Sequence, residues 1–479
     1  MRERDSRHLS LLLLEEMPEA TSAQTTFFKA ADEATPKPLD QAPAEFTWRD
    51  YTIFLLTVAA QIEHSLMVQY LYAAFSLGGP QVPLRYQDDV AAWRQMILGI
   101  AKEEMGHLAT VQNVLRFLGA PLALDREDYP WDVALAPYPF ILEPLSRASL
   151  AKYVVAESPE QWPSGVSAAE RREIEKLATG SGTRPINRVG KLFDKIIEIL
   201  ANEDRLPTSM LHPGSYSSQA TWDEWGRGYG KGARGSSIAG TTKTPDVLIM
   251  RVASRSEALA ALRAVAAQGE APSEAGADDE EASHFHRFLT IYRSFPADGA
   301  WEPAVDTPTN PVAPGLGAGN GQTPIKDPEA GLWANLFNLR YRMLLTYLGH
   351  TYSVPRTGVG ERRGPIINRM FAEMYNLRAI ASLLTRMPLG GEGDQRAGPP
   401  FQMPYSLQLP ETEAGYWSLH LDLLEASANL LAEASGREGP TGDYARSLSA
   451  LDEGARHEFR LYAEADAVRT GAVTIKGSR

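Results

Sequence analysis

The sequence contains no cysteine. This absence excludes disulfides, thiolate zinc sites, thiolate-held iron–sulfur clusters and cysteine nucleophiles. The chain also lacks a basic excess, since 60 acidic residues outnumber 47 lysines and arginines and give a net charge of -13. Non-specific binding to nucleic acid or to anionic membranes requires clustered positive charge, so we expect this protein to bind neither.

Long apolar runs are missing as well. The longest run near the start, Leu11 to Leu14, is too short for a signal peptide or a membrane span. Residues 1–45 mix proline, alanine, threonine and charge without a sustained period, which predicts an N-terminal tail. Hydrophobic residues nevertheless make up 43% of the chain and charged residues 22%, an ordinary balance for a globular protein. We therefore expect a soluble, cytoplasmic protein.

Helical periodicity dominates the pattern that is present. Apolar positions recur at helical spacing from Phe46 to Leu77 and again from Asp88 up to Gly119. Roughly ten residues join these stretches, so the two helices are predicted to form an antiparallel pair. The other predicted elements are helices at Arg188 to Asn202, Ser254 to Gln268, Asp278 to Phe295 and near 331–353, 360–387, 411–435 and 444–470, a loop at 226–244 and a strand-like run at Val247 to Val252.

The fold class predicted from this pattern is mainly α. A length of 479 residues is typical of two to four domains. The predicted division is a tail at 1–45, a helical bundle at 46–295 with an insertion at 120–250, a linker at 296–330 and a C-terminal helical region at 331–479. The insertion and the linker are assigned from their richness in proline, glycine and serine.

Two Glu-x-x-His tetrapeptides carry the chemistry. Glu104 and His107 lie in the second predicted helix, and Glu281 and His284 lie in the stretch that starts at Asp278. Residues three apart share one face of a helix, close enough to bind the same metal ion. One such pair is a weak signal, but two in order favour a metal site over two ordinary surface pairs.

A carboxylate-bridged diiron site in a four-helix bundle uses two such pairs and one further Glu from each of the other two helices. Glu63 is the first further Glu, because it lies between apolar turns where an unpaired buried carboxylate would be costly. Glu270 is the second, at the end of the third helical segment, and Glu257 is its rival. In this template Glu104 and either Glu63 or Glu281 bridge the metals, while His107 and His284 each bind one.

Four segments resemble the ferritin-like domain of the iminophenyl-pyruvate dimer synthase family, which includes the large synthases of violacein and indolocarbazole biosynthesis. The resemblance covers roughly residues 46 to 295 and extends more weakly through Leu332 to Met387. The segments are Gln61-Ile62-Glu63-His64, Glu103-Glu104-Met105-Gly106-His107-Leu108, Gln268-Gly269-Glu270 and Glu281-Ala282-Ser283-His284-Phe285.

The resemblance implies a ferritin-like four-helix bundle and a catalytic metal site. It also implies a non-haem oxidoreductase with two iron ions, or manganese or a mixed pair, that uses O2 or peroxide. The substrate would be a small amino-acid-derived natural-product intermediate, and the assembly a homodimer or a complex with a biosynthetic partner enzyme. The implied ligands are Glu63, Glu104, His107, Glu270, Glu281 and His284.

Three alternatives stay open at this point. The first is a haem-dependent enzyme of the same biosynthetic group, with His or Tyr as the axial ligand. The second is a ferroxidase or iron-handling protein, and the third is a metal-free scaffold that binds a partner. Among the neighbouring residues, Glu103 is predicted to lie at the surface or behind a ligand, His64 to pack in the protein or to face solvent, and Tyr70 to pack in the core.

Overall fold

The structure is a computed structural model that describes residues 41–132, 137–180, 188–225, 247–270, 283–297, 299–315, 318–355, 362–403 and 407–469. These residues contain twelve α-helices and one short pair of parallel strands. The helices are α1 (Trp48–Ser76), α2 (Gln87–Phe117), α3 (Arg147–Ala156), α4 (Ala168–Thr179), α5 (Gly190–Ala201), α6 (Trp222–Trp225), α7 (Arg255–Glu270), α8 (His284–Ser294), α9 (Pro328–Ser353), α10 (Arg363–Leu384), α11 (Glu413–Ser435) and α12 (Pro440–Arg469). The strands are β1 (Pro311–Val312) and β2 (Thr323–Pro324).

Helices α1 and α2 form the predicted antiparallel pair. The Thr47 side chain caps α1 by accepting a hydrogen bond from the backbone N–H of Asp50, as N-cap threonines do. Near that end of α1, Arg49 donates to the carbonyl of Leu118, which directly follows α2. The start of one helix therefore lies beside the end of the other.

Helix α1 is long and apolar enough to cross a membrane, and it is the one helix in the described ranges with that property. Yet 78% of its most apolar window is buried inside the protein. A central helix enclosed by other helices is hydrophobic all round for the same reason. The composition of α1 is therefore explained by its place in the core.

Helices α3, α5, α7 and α8 complete the N-terminal bundle around α1 and α2. Helix α3 packs against α8, α5 packs against α7 and α1, and both α7 and α8 contact α2. Helices α5, α7 and α8 were predicted, although residues 271–282, which include the start of the predicted 278–295 helix, lie outside the described residues. Helices α3 and α4 fall inside the predicted insertion and were not predicted.

The strand-like run at Val247 to Val252 is extended but pairs with no strand in the described part of the chain. Side chains of α2 satisfy its backbone instead. The hydroxyl of Thr110 donates to the carbonyl of Leu248 at 2.9 Å, and the amide of Asn113 donates to the carbonyl of Met250 at 2.9 Å. Because these backbone groups already have partners, the run needs no sheet.

Helices α9 to α12 form a second helical bundle, close to the predicted bounds. Helix α9 packs against α10 and α11, and α11 packs against α12. The buried Arg340 of α9 lies at its centre and donates to both carboxylate oxygens of Asp452, at 2.8 and 2.5 Å, and to Glu373 at 3.2 Å. Burial of a cation is stable when it is paired in this way.

Candidate metal centre

Four of the predicted ligands meet inside the N-terminal bundle. Glu63 comes from the middle of α1, Glu104 and His107 come from α2, and His284 is the first residue of α8. The Nδ1 atom of His107 lies 3.1 Å from Glu104 Oε2 and 3.4 Å from Glu63 Oε2. The Nδ1 atom of His284 lies 2.8 Å from Glu104 Oε1.

A fifth side chain, Glu157, joins them and was not predicted. It directly follows α3, and its Oε2 lies 3.6 Å from the Nδ1 atom of His284. The Tyr70 hydroxyl donates to the other oxygen of Glu157 at 2.5 Å. The apolar run Leu150 to Ala156 before Glu157 was the available signal, but it is short and lies among prolines and glycines.

The five side chains form two groups that share Glu104. Glu63, Glu104 and His107 offer ligand atoms that all lie within 4.8 Å of one another, and Glu104, Glu157 and His284 do the same. Glu104 directs Oε2 toward one imidazole and Oε1 toward the other. All five are at most 2% exposed. A shared carboxylate between two imidazoles suits two hard cations rather than one.

The glutamates and histidines of this cluster shift one another's pKa values. Burial and the nearby Glu104 charge raise the pKa of Glu63 well above its ordinary value. Burial would raise the pKa of Glu104 too, but the two imidazoles hold it well below its usual range. Burial acts against the charged form of His107, yet Glu104 and Glu63 raise its pKa to about 10.

Two buried ligand atoms make no well-aligned hydrogen bond in the described residues, although each lies near an oppositely charged group of the cluster: Oε2 of Glu63, 3.4 Å from His107 Nδ1, and Nδ1 of His284, 2.8 Å from Glu104 Oε1. Buried polar atoms without partners are rare, because each loses its hydration without compensation. Both atoms face the centre of the cluster, and both are atoms that bind metal ions. The donor set of carboxylates and imidazoles therefore fits a pair of divalent cations.

Each imidazole is oriented from behind through its Nε2 atom. Nε2 of His107 lies 2.9 Å from the side-chain oxygen of Gln268, and Nε2 of His284 lies 2.8 Å from Glu103 Oε2. An N–H donated to these oxygens leaves Nδ1 of each ring free for a metal. Glu103 is buried, so the surface location considered for it was wrong; it lies behind His284, which stays a predicted ligand.

Arg287 pairs with Glu103 and supports this arrangement. Burial alone would raise the pKa of Glu103, but the guanidinium of Arg287 and the His284 ring lower it. Glu103 therefore stays ionised and can accept the N–H of His284. One nitrogen of Arg287, Nη2, is thereby engaged by Glu103, while Nε and Nη1 are buried without a hydrogen-bond partner in the described residues.

The remaining predicted ligands are less defined. Glu281 lies outside the described residues, and Glu270 ends α7 without a described side chain. Glu257 is exposed at the start of α7, where its Oε2 accepts from the backbone N–H of Ala253 at 2.7 Å. Gly269 approaches the cluster, since a Cβ there would lie 3.0 Å from Glu157 Oε2. Glu270 and Glu281 stay predictions.

A cavity of about 10 Å³ opens beside the cluster. This volume is on the order of one water position. Acidic and imidazole groups line one side, and apolar side chains line the other. The lining residues are Glu63, Leu66, Glu104, His107, Glu157, Val189, Gly190, Phe193, Val265, Ala266 and Gly269.

Comparison with known proteins places this arrangement in context. A Ferritin-like family model matches residues 56–293. The chain is 28% identical to dichlorochromopyrrolate synthase from Lentzea aerocolonigenes over 71% of its own length and 35% of that protein. It is 27% identical to 2-imino-3-(indol-3-yl)propanoate dimerase from Chromobacterium violaceum over 73% of its own length and 33% of that protein.

The aligned region thus spans about a third of the length of these curated relatives. A crystal structure of a ferritin-like protein from Caulobacter vibrioides matches 71% of this chain and 97% of its own, with 16% identity and a TM-score of 0.40. The relatives match the family that the sequence resembles. Residues 56–293, which contain Glu63, Glu104, His107 and Glu157, therefore belong to the Ferritin-like family.

Proposed function

We propose that this protein is a non-haem dinuclear-iron oxidoreductase. The observation that carries the proposal is Glu104, whose Oε2 lies 3.1 Å from the His107 imidazole and whose Oε1 lies 2.8 Å from the His284 imidazole. Glu63 and His107 would hold one ion, Glu157 and His284 the other, and Glu104 both. Glu281 remains a further proposed ligand, and manganese could replace one or both irons with the same donors.

Iron bound here would supply the redox step, with O2 or peroxide as the oxidant. The protein itself would contribute negatively charged ligands in a site that is shielded from bulk water. Three buried carboxylates offset the charge of the two cations, and Glu103 and Gln268 fix the two rings. The apolar side of the cavity, with Leu66, Phe193 and Val265, excludes bulk water from the site.

The proposed substrate is a small amino-acid-derived intermediate of natural-product biosynthesis. Support comes from the relatives, one a chromopyrrolate synthase and one a dimerase of an imino acid. The cavity beside the cluster has space on the order of one water molecule. It therefore suits the oxidant, and the organic substrate would react from the outer side of the ligand cluster.

Metal content per chain tests the site. We expect about two irons in protein produced with added iron, and loss of one or both in E104A, because Glu104 belongs to both groups. H107A and H284A should each lose one. E257Q is the matched control, since Glu257 is an exposed acid remote from the cluster. Two irons retained in E104A would contradict the assignment.

Oxygen reactivity tests the chemistry. Iron-loaded protein, reduced and mixed with O2 or peroxide in single turnover, should change its visible spectrum and convert an imine derived from an aromatic amino acid. H107A is the control. An iron-loaded protein that reacts with neither oxidant would contradict the enzymatic proposal and leave the metal site standing.

A further inference from the structure

A second and much larger cavity, of about 1060 Å³, lies away from the metal cluster. Arg94 lines it from α2, ten residues before Glu104, which is about 15 Å along a helix at 1.5 Å per residue. The end of α1, the loop near 302–306 and the C-terminal part of α10 form the other walls. This cavity is therefore separate from the ligand cluster and lies between the two helical bundles.

Four arginines line this cavity; Arg396 donates to the backbone carbonyl of Arg386 at 3.4 Å, and the other three come from two helices and a following turn. Arg94 belongs to α2, Arg378 belongs to α10, and Arg386 follows α10. Burial lowers the pKa of Arg94, and the charges of Arg378 and Arg386 lower it further. Like charges repel, so the protein holds the guanidinium groups of these three arginines around one cavity at a cost in free energy.

None of these three guanidinium groups has an ion-pair partner among the described residues. Glu302, Asp306 and Asp394 also line the cavity, yet none of their carboxylates forms an ion pair with these guanidinium groups. Oδ1 of Asp306 accepts instead from the side-chain amide of Gln395 at 2.9 Å. The local carboxylates are thus not arranged to neutralise the cluster.

The surroundings of Arg94 distinguish the wall of this cavity from an ordinary solvated surface. Its Nε atom is buried and has no hydrogen-bond partner within the described residues. Its Nη2 atom would lie 2.5 Å from a Cβ at position 78, where Gly78 has φ +96°. Glycine thus permits both this backbone conformation and the close approach of the guanidinium. The side chain is held at the cavity wall with donors still unused.

We propose that this cavity binds a small organic anion with at least two carboxylates. Guanidinium groups recognise carboxylates through paired N–H donors, and three of them match more than one negative charge. Phe75, Leu98 and Val305 line the same cavity and would contact the apolar body of such a ligand. The volume is at the upper end of small-molecule sites. The site does not depend on the metal.

Calorimetric titration of the full chain with benzene-1,3,5-tricarboxylate tests the proposal. Succinate, acetate and inorganic phosphate at matched ionic strength separate multiple carboxylates from single ones and from phosphate. We expect the tricarboxylate and succinate to bind and acetate to bind at least about tenfold more weakly, since each charge-assisted contact contributes. Preference for phosphate over both carboxylates, or no binding at millimolar concentration, would overturn the proposal.

The variant R378A/R386A should weaken binding of the tricarboxylate by about tenfold or more while metal content stays unchanged. Both side chains are exposed, so the variant should fold. R460A removes an exposed arginine of α12 outside the cavity and is the matched control. Equal affinity of R378A/R386A and R460A for the tricarboxylate would overturn the proposed anion site. If E104A loses its metal but still binds the tricarboxylate, the anion site and the metal site are independent of each other.

Discussion

The Glu157 carboxylate faces the His284 imidazole with one oxygen and receives the Tyr70 hydroxyl on the other. We therefore propose Glu157, beside Glu270, as a candidate for the further glutamate of the site. Burial and the neighbouring Glu157 charge raise the pKa of Tyr70 well above its ordinary value, so the hydroxyl keeps its proton and remains a donor. The hydrogen bond thus positions the Glu157 side chain beside the cluster.

We expect E157Q to bind about one metal ion where the wild type binds two, because it removes charge from one of the two groups that share Glu104. Glutamine keeps an oxygen for Tyr70, so the fold should persist. Elemental analysis of E157Q beside E270Q measures the effect. Loss of one ion in E270Q with full loading of E157Q would assign the ligand to Glu270 instead.

At the scale of the elements, Gly106 fixes how closely the extended segment at 247–252 approaches α2. A Cβ at position 106 would lie 2.6 Å from Cγ1 of Val247 and 3.0 Å from the carbonyl oxygen of Leu248. The second contact is with backbone, which cannot move aside as a flexible side chain can. The glycine directly precedes His107, so the same contact also fixes the position of a proposed ligand.

We expect G106A to lower the free energy of unfolding by about 1–3 kcal/mol, because overpacking outweighs the better helix propensity of alanine. G454A, in α12, is the matched control, since nothing lies within 4 Å of a Cβ there. That control should gain up to about 1 kcal/mol from propensity alone. Denaturant unfolding compares the two, and equal gains in both variants would contradict the contact.

The long helices were predictable because their apolar pattern repeats over several turns and ends at glycine or proline. Helices α3 and α4 were not, since α3 is 10 residues long and α4 is polar on most of its surface. That omission also hid Glu157. Glu104, His107 and His284 could be proposed from the Glu-x-x-His spacing, and Glu63 from its place between apolar turns, whereas the orienting role of Gln268 depends on a contact 161 residues apart in sequence.

In the C-terminal bundle, His350 of α9 and His420 of α11 form a buried pair, with 3.0 Å between Nδ1 and Nε2. Burial lowers the pKa of His420 to about 3, and burial with the nearby His420 lowers that of His350 well below its ordinary value. The unfolded chain binds protons near pH 6.5. It therefore takes up more protons than the folded chain as pH falls below that value.

The contribution of these two histidines to stability should consequently fall as pH drops below about 6.5, by up to about 1.4 kcal/mol per pH unit for each histidine. We expect the loss between pH 7.5 and 5.5 to be about 1.4 kcal/mol smaller in H420Q than in wild type. H457Q changes an exposed histidine and is the control. Denaturant unfolding at both pH values measures this, and an unchanged loss in H420Q would contradict the assignment.

At the scale of the whole molecule, the two bundles balance the charge of their buried carboxylates in different ways. Each buries carboxylates near its centre. The C-terminal bundle neutralises Asp452 and Glu373 with Arg340, whereas the N-terminal bundle sets its carboxylates against imidazoles and leaves Glu63 Oε2 and His284 Nδ1 without a well-aligned hydrogen bond in the described residues. Binding of cations to the folded state alone would stabilise the N-terminal bundle by mass action.

We expect chelation of bound metal to speed hydrogen exchange in α1, α2 and α8 and to leave α9 to α12 unchanged. Exchange measured by mass spectrometry before and after chelation, with E104A as a control that should not respond, reports this for each helix. Uniform change across both bundles would contradict it.

The guanidinium of Arg340 belongs to the chain itself, so the C-terminal bundle contains its own cation as soon as the chain is synthesised. The cations proposed for the other bundle must come from the surroundings. One half of the protein would therefore mature without outside help, while the other half would depend on the supply of iron. Iron starvation would leave a protein whose C-terminal bundle is fully stabilised and whose N-terminal bundle is readily degraded.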